Sequence, residues 1–241
     1  MTPERNIFLP KKFQHRGIDL FYEDRDVVVL FKDQGILSTH TVRHERFTVE
    51  NAVTEFLRKG QSRSTRHACC VHRLDRDTSG VMVFAKNDDA ADFLRDHWSE
   101  NIKIYTALTD GIPEKTEALL EDWLAEDSDL YMRVVGKNHD GAKLCKTEYK
   151  IVESIGQIAR VSIRLWTGRK NQIRAQFAHA RFPVLGDPKY GRSAKRRESR
   201  LYLHAQTLEF TSPSTGERLH FESPEPDGFA RRMTQEKHLC R

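Results

Sequence analysis

The chain has 241 residues, 38% hydrophobic and 31% charged, with 40 Lys and Arg against 35 Asp and Glu for a formal charge of +5. No apolar run approaches the ~18 residues of a membrane-spanning helix, and 13 Phe, 6 Tyr and 3 Trp give a core enough to bury, which argues against a membrane protein and a disordered one. The basic excess biases the surface towards polyanions, and it is concentrated in Arg192–Arg200 and in the tail at Arg231, Arg232, Lys237 and Arg241.

Residues 1–17 are polar and basic and read as an arm, and no signal peptide is expected because no apolar stretch is followed by a small-residue cleavage site. Ile18–Phe21 and Val27–Phe31 predict two strands around the turn Glu23–Asp26. Val49, Ala52, Val53 and Phe56 fall at helical spacing within Thr48–Lys59, and Gly60 ends that helix. Cys69–Leu74 predicts a strand entering a turn at Asp75–Gly80, and the unbroken apolar run Val81–Ala85 a buried strand. Asp88–Asn101 reads as a helix with Asp88 or Asp89 near its N-cap, and Ile102–Thr109 as a strand. Gly111–Asp140 is acidic and irregular and reads as a hairpin excursion. Lys146–Ser154 and Ala159–Leu165 read as paired strands, Gln172–His179 as a helix, and Leu201–Phe210 with Arg218–Glu222 as a closing hairpin. The tail from Asp227 reads as a short helix. Irregular interleaving of strands and helices predicts an α+β or mixed α/β class, organised as one compact unit over 18–226 with a tail at 227–241.

The four cysteines, Cys69, Cys70, Cys145 and Cys240, form no disulfide framework and fit a reducing cytoplasm. His67-Ala-Cys-Cys-Val-His72 has the look of a metal nest that His40 or His44 would complete. The chain has no CxxC pair, however, so the thiols are expected as small buried groups, with no metal and no cofactor.

Two stretches carry chemistry. His72-Arg73-Leu74-Asp75-Arg76-Asp77-Thr78-Ser79-Gly80 gathers carboxylates, cations and hydroxyls in a turn beside a buried strand. Asp75 or Asp77 either caps that turn, with Gly80 at a positive φ, or serves as nucleophile or general base. Thr167-Gly168-Arg169-Lys170-Asn171-Gln172-Ile173-Arg174 puts three cations at a strand-to-helix junction, where a helix N-terminus suits a phosphate. Arg174 falls inside the helix and needs a partner, for which a carboxylate is the obvious candidate.

The first of these stretches closely resembles the central motif of the RluA-type pseudouridine synthases. The opening pair Tyr22–Phe31 with Lys32 and Gly35, the segment Lys103-x-Tyr105, the stretch Thr167–Arg174 with Leu185-Gly186-Asp187-Pro188-x-Tyr190-Gly191, and the closing Leu203-His204-Ala205 hairpin resemble the family's remaining motifs in order, over roughly residues 18–222. The resemblance implies a pseudouridine synthase fold, a long, mostly antiparallel mixed sheet flanked by helices with a central catalytic cleft. It implies Asp75 as the catalytic aspartate, Tyr105 as the stacking tyrosine, and Arg174 as the buried arginine paired with the aspartate. It assigns substrate contacts to Arg73, Leu74, Thr78, Gly80, Lys103, Arg169, Lys170 and Ile173, with Ile173 packing against the base.

The implied activity is isomerisation of uridine to pseudouridine in structured tRNA or rRNA after the nucleotide is flipped into a pocket. No cofactor, metal, membrane or protein partner is implied, and a monomer is expected. The alternative is a non-catalytic RNA-binding or RNA-folding factor on the same scaffold. The chain departs from the family pattern at Asp33-Gln34, where Pro-x is usual, and at Asn171 and Gln176, where histidines are usual; these last two are expected to alter RNA-backbone contacts. The loop Arg192–Arg200, with Lys195, Arg196 and Arg197, and the segment Gly111–Asp140 are candidates for substrate choice.

Overall fold

The computed structural model describes residues 15–40, 47–192 and 198–240. His44, Lys195, Arg196, Arg197, Arg241 and most of the expected arm lie outside the described residues.

In chain order the elements are β1 (Ile18–Glu23), β2 (Val27–Lys32), α1 (Val49–Arg58), β3 (Cys69–Cys70), β4 (Ser79–Ala85), α2 (Asp88–Asp96), β5 (Ile102–Asp110), β6 (Glu117–Glu126), β7 (Met132–Val135), β8 (Lys143–Ile155), β9 (Ile158–Leu165), α3 (Gln172–His179), β10 (Leu203–Thr211), β11 (Arg218–Glu222) and α4 (Gly228–Leu239). This is the expected α+β class. The hairpin expected within Gly111–Asp140 is present, as the regular strands β6 and β7 paired from Trp123↔Val135 to Glu126↔Met132. Two expectations are corrected. The strand expected over Cys69–Leu74 stops at Cys70, because Leu74 gives both its backbone groups to the Ser38 hydroxyl. The helix at 88 is capped by Asn87, whose side chain accepts the Ala90 N–H, and it ends at Asp96, with a 3₁₀ turn over Trp98–Glu100.

The described residues pack as two compact units, one drawn from Met1–Ile102 with Ala205–Ser223 and the other from Lys103–His204 with Pro224–Arg241. In the first unit β2 lies antiparallel between β1 and β4, from Val27↔Ala85 to Lys32↔Gly80. Val27, Val29, Val81 and Val83 pack with Ala90, Ala91 and Leu94 of α2 and with Phe210 and Phe221. Val28, Leu30, Met82 and Phe84, of the opposite parity, are also fully buried, so both faces of these strands are covered. This double burial makes the run apolar without alternation. α1 starts at the Thr48 cap and ends at Lys59 in a left-handed conformation, φ 49°.

In the second unit the strand order is β5-β9-β8-β6-β7. One face carries α3: Ile163, Val161 and Tyr149 pack with Ile173, Phe177 and Phe182. The residues of opposite parity make ion pairs, Lys146 with Glu121 at 3.0 Å and Lys150 with Glu117 at 3.7 Å. The helix α4 buries Phe229 and Met233 against Leu108, Ile158, Leu185 and Tyr202. Arg232 of α4, 8% exposed at its side chain, is held between Glu198 and Glu236. Among the described residues no helix is long and apolar enough to cross a membrane, a statement that does not extend to β-barrels.

Candidate active site

The sequence-predicted site residues fall in two groups, one in each unit. In the first unit the scaffold begins with Lys32. Its side chain is fully buried, and its Nζ donates to the carbonyls of Asp33, Ile36 and Arg76, each at 3.0 Å. Three carbonyls use all three donors of an ammonium. The Gly35 N–H donates to the Arg76 carbonyl at 2.8 Å, and Arg76 Nε donates back to the Gly35 carbonyl at 3.1 Å. On the other side the Ser38 hydroxyl donates to the Leu74 carbonyl at 2.8 Å and accepts the Leu74 N–H at 3.1 Å. Asp75 sits between these two pinned backbones, half-buried, and its carbonyl accepts the Thr78 N–H at 3.1 Å to close the turn.

The rest of the motif serves the same turn. Leu74 is buried and Arg73 beside it is exposed. The Val83 N–H donates to His72 Nε2 at 3.1 Å, and the imidazole stacks on Trp98 at 4.5 Å. Gly80 has φ +135°, and a Cβ there would stand 2.2 Å from the Ala205 carbonyl oxygen, so only glycine fits. Thr78 is buried, and its hydroxyl has no hydrogen-bond partner among the described residues.

Burial pushes the Lys32 ammonium down to about 8, against the opposing pull of the Asp77, Asp33 and Asp75 carboxylates. Below pH 8 the folded chain carries a buried charge that costs stability. Between about 8 and the ordinary 10.5 the folded lysine is neutral while the unfolded one keeps its proton, so stability rises with pH across that window. Urea unfolding of the wild type is expected to gain up to ~3 kcal/mol on Lys32→Met between those limits. A difference that stays flat with pH would contradict the buried charge.

In the second unit Tyr105 on β5 stands opposite Ile163 of β9 and is half-buried, its ring against the cluster that contains Ile173 and Phe177. Ile173 is only 4% exposed and belongs to that core. Lys103 is buried, and its ammonium is pushed down by desolvation. Arg169 and Lys170 are exposed, and Lys170 Nζ pairs with Glu126.

The entry to α3 is set by a buried amide–hydroxyl network. Gln172 Oε1 accepts Thr167 Oγ1–H at 2.8 Å and the Arg169 N–H at 3.0 Å, and its amide donates to Thr147 Oγ1 at 2.9 Å. Thr147 Oγ1 donates in turn to Gln176 Oε1 at 2.6 Å. Gln176, where an RNA-backbone contact is expected from sequence, is instead fully buried and donates to Asp122 at 2.7 Å. It acts on strand packing.

Arg174 is the most constrained side chain of this group. Its Nε and Nη2 donate to the two oxygens of Asp187 at 2.7 and 2.8 Å, and its Nη1 donates to Asn171 Oδ1 at 3.0 Å. The pair is buried, 7% exposed at the arginine and 0% at the aspartate. The Tyr190 ring lies 5.3 Å from the guanidinium carbon. Asp187 Oδ1 also accepts the backbone N–H groups of Lys189 and Tyr190 at 2.8 and 2.9 Å. The sequence motif contains Asp187 and Tyr190 but gives them no role, and it likewise gives none to Ser38 or to the buried Lys32. A carboxylate in a turn soon after a helix that carries an arginine is the only sequence signal for the Asp187 pair.

The first group offers a carboxylate on a pinned turn, and the second a half-buried aromatic ring, a clamped guanidinium and exposed cations. The RNA pseudouridylate synthase family model matches residues 26–179. A protein of Bacillus subtilis (strain 168) named uncharacterized RNA pseudouridine synthase YlyB is 31% identical over 217 residues, which are 88% of this chain and 71% of that one. The ribosomal large subunit pseudouridine synthase D of Haemophilus influenzae is 31% identical over 234 residues, 88% of this chain and 68% of its own. Human RNA pseudouridylate synthase domain containing 4 superposes with a TM-score of 0.74 over 91% of this chain and 92% of that one at 22% identity, a likeness of fold. The chain therefore belongs to the RNA pseudouridylate synthases of the RluA type, and it is an isomerase that forms pseudouridine in RNA.

Proposed function

We propose that the enzyme isomerises particular uridines of structured tRNA or large-subunit rRNA, with Asp75 as the catalytic carboxylate. The observation that carries this reading is the double backbone clamp on Leu74 and Arg76, which holds Asp75 on a rigid support while leaving it half-buried. Pre-organised geometry of this kind is what a reacting carboxylate needs.

Uridine and pseudouridine are isomers, so the chemistry needs no oxidant and no added group. The N1–C1′ bond breaks, the uracil turns, C5 bonds to C1′, and the C5 proton is lost while N1 regains one. Asp75 either attacks C1′ to form a glycosyl ester or removes the C2′ proton to form a glycal. The base must leave the helix first. Tyr105 is the stacking ring that offsets part of that cost, on the scale of ~1–3 kcal/mol per base. Arg174, oriented by Asp187 and Asn171, is the arginine that the family resemblance makes the partner of the catalytic carboxylate. Arg73 reaches into the RNA beside the flipped nucleotide, Ile173 packs against the base, and Leu74, Gly80, Lys103, Arg169 and Lys170 are the further substrate contacts. The orphan hydroxyl of Thr78 supports a polar substrate contact at that position.

The enzyme acts in the cytoplasm as a monomer, and residues 18–226 form its catalytic domain. The name of the Haemophilus relative supports the rRNA arm of the proposal. Pseudouridine mapping of total RNA from the source cell, with and without the gene, tests it. Sites in tRNA or large-subunit rRNA that vanish on deletion are expected, and purified enzyme is expected to restore them on transcribed RNA. No gene-dependent site and no activity on either RNA would favour a non-catalytic RNA factor.

A further inference from the structure

His67, Cys69 and Asp88 lie outside the residues assigned to pseudouridine formation. They come from the approach to β3, from β3 itself and from the first turn of α2. One nitrogen, one sulfur and one oxygen of these side chains all lie within 4.8 Å of one another. We propose that His67 Nε2, Cys69 Sγ and Asp88 Oδ1 form a binding site for a divalent transition metal of the zinc class.

Two of the three donor separations match edges of a tetrahedral site, and all three ligand atoms lie within 4.8 Å of one another. With bonds of about 2.3 Å to sulfur and about 2.0 Å to nitrogen and oxygen, a tetrahedral zinc ion sets its S···O edge near ~3.5 Å and its N···O edge near ~3.3 Å. Here Cys69 Sγ is 3.5 Å from Asp88 Oδ1, and His67 Nε2 is 3.7 Å from the same oxygen. His67 and Asp88 are exposed, so small rotations close the remaining gap.

The second ring nitrogen is also held. His67 Nδ1 lies 3.2 Å from the Thr65 carbonyl oxygen, which can only accept, so Nδ1 carries the hydrogen. Nε2 then faces the Asp88 carboxylate, where a bound metal would take the place of a proton between the two. A backbone carbonyl on the far ring nitrogen is also the usual outer support of a metal-bound histidine. The donor set of imidazole, thiolate and carboxylate suits zinc better than magnesium or calcium, which prefer oxygen alone.

Burial first and the Asp88 carboxylate second push the Cys69 thiol up to about 11. Binding displaces the thiol proton to solvent, and a water completes the fourth corner. The ion would join the start of β3 at Cys69, three residues before His72 opens the Asp75 motif, to the first turn of α2.

Cobalt(II) titration of the full-length, chelator-treated protein tests the site, because a thiolate ligand gives a sulfur-to-cobalt charge-transfer band. The expected result is one equivalent bound with that band, displaced by zinc, and a rise in the thermal midpoint with zinc. Asp88→Asn, on an exposed helix turn, and Cys69→Ser should each weaken binding by more than ~100-fold, since loss of an outer-shell partner alone typically costs ~10–100-fold. Cys240→Ser, which removes an exposed thiol elsewhere, should bind like the wild type. No thiolate band, equal binding by Asp88→Asn and the wild type, or loss of binding in Cys240→Ser would overturn the proposal.

Discussion

Asp75→Asn is expected to lower pseudouridine formation by the purified enzyme by more than ~10⁴-fold, the scale on which removal of one essential reacting group acts. Asparagine keeps the shape of the side chain and removes its charge. It neither attacks C1′ nor takes the C2′ proton. The turn itself is held through backbone groups of Leu74, Arg76 and Thr78, so the fold should survive the change. RNA affinity should survive as well, because phosphate contacts dominate it and the variant loses a negative charge, not a positive one. Release of tritium from the C5 position of uridine-labelled RNA measures the first quantity, and filter binding measures the second. Activity within tenfold of the wild type would remove Asp75 from the catalytic role.

The second large effect concerns Asp187. Its carboxylate holds two nitrogens of a guanidinium that is 7% exposed, and it also accepts two backbone N–H groups. Asp187→Ala leaves that charge buried without its bidentate partner, a change that typically costs ~3–5 kcal/mol. Urea unfolding should show a loss of this size. Because most of the cost is the stranded charge, Arg174→Met combined with Asp187→Leu should be less destabilised than the two single losses added together. A loss below about 1 kcal/mol in Asp187→Ala, where a surface pair would fall, would mean that the pair is not buried as described. Activity should fall further than stability explains, since a guanidinium freed from its clamp no longer has one orientation.

Much of the fold is legible in the sequence, for reasons that differ from element to element. The run Val81–Ala85 reads directly because both faces of β4 are covered, so no alternation interrupts it. The helix Gln172–His179 is found at its true bounds, although its polar members Gln172, Arg174 and Gln176 are all buried. The signals there are the turn residues on either side, not an apolar stripe. The hairpin within Gly111–Asp140 is expected but the bounds of its strands are not, because Glu117, Leu119 and Glu121 face outward with Ala118 and Leu120 between them and that acidic density reads as irregular. The β3 strand is predicted too long because nothing in the residue types reveals that a serine 36 positions upstream takes the Leu74 backbone.

The site divides in the same way. Asp75, Tyr105 and Arg174 sit in local motifs that can be recognised. The supports do not, because their partners are distant or are backbone. Lys32 is legible only as a member of the opening motif, because one of its acceptors is a carbonyl 44 positions away. Asp187 meets Arg174 across 13 positions and a turn. Asp88 meets Cys69 across 19, which is why the cysteine spacing alone argues against a metal.

The most direct measurement of the central claim is pseudouridine mapping in cells lacking the gene and carrying either the wild type or Asp75→Asn at matched protein levels. The account predicts that the lost sites return with the wild type and stay absent with the variant. Full restoration by Asp75→Asn would contradict it.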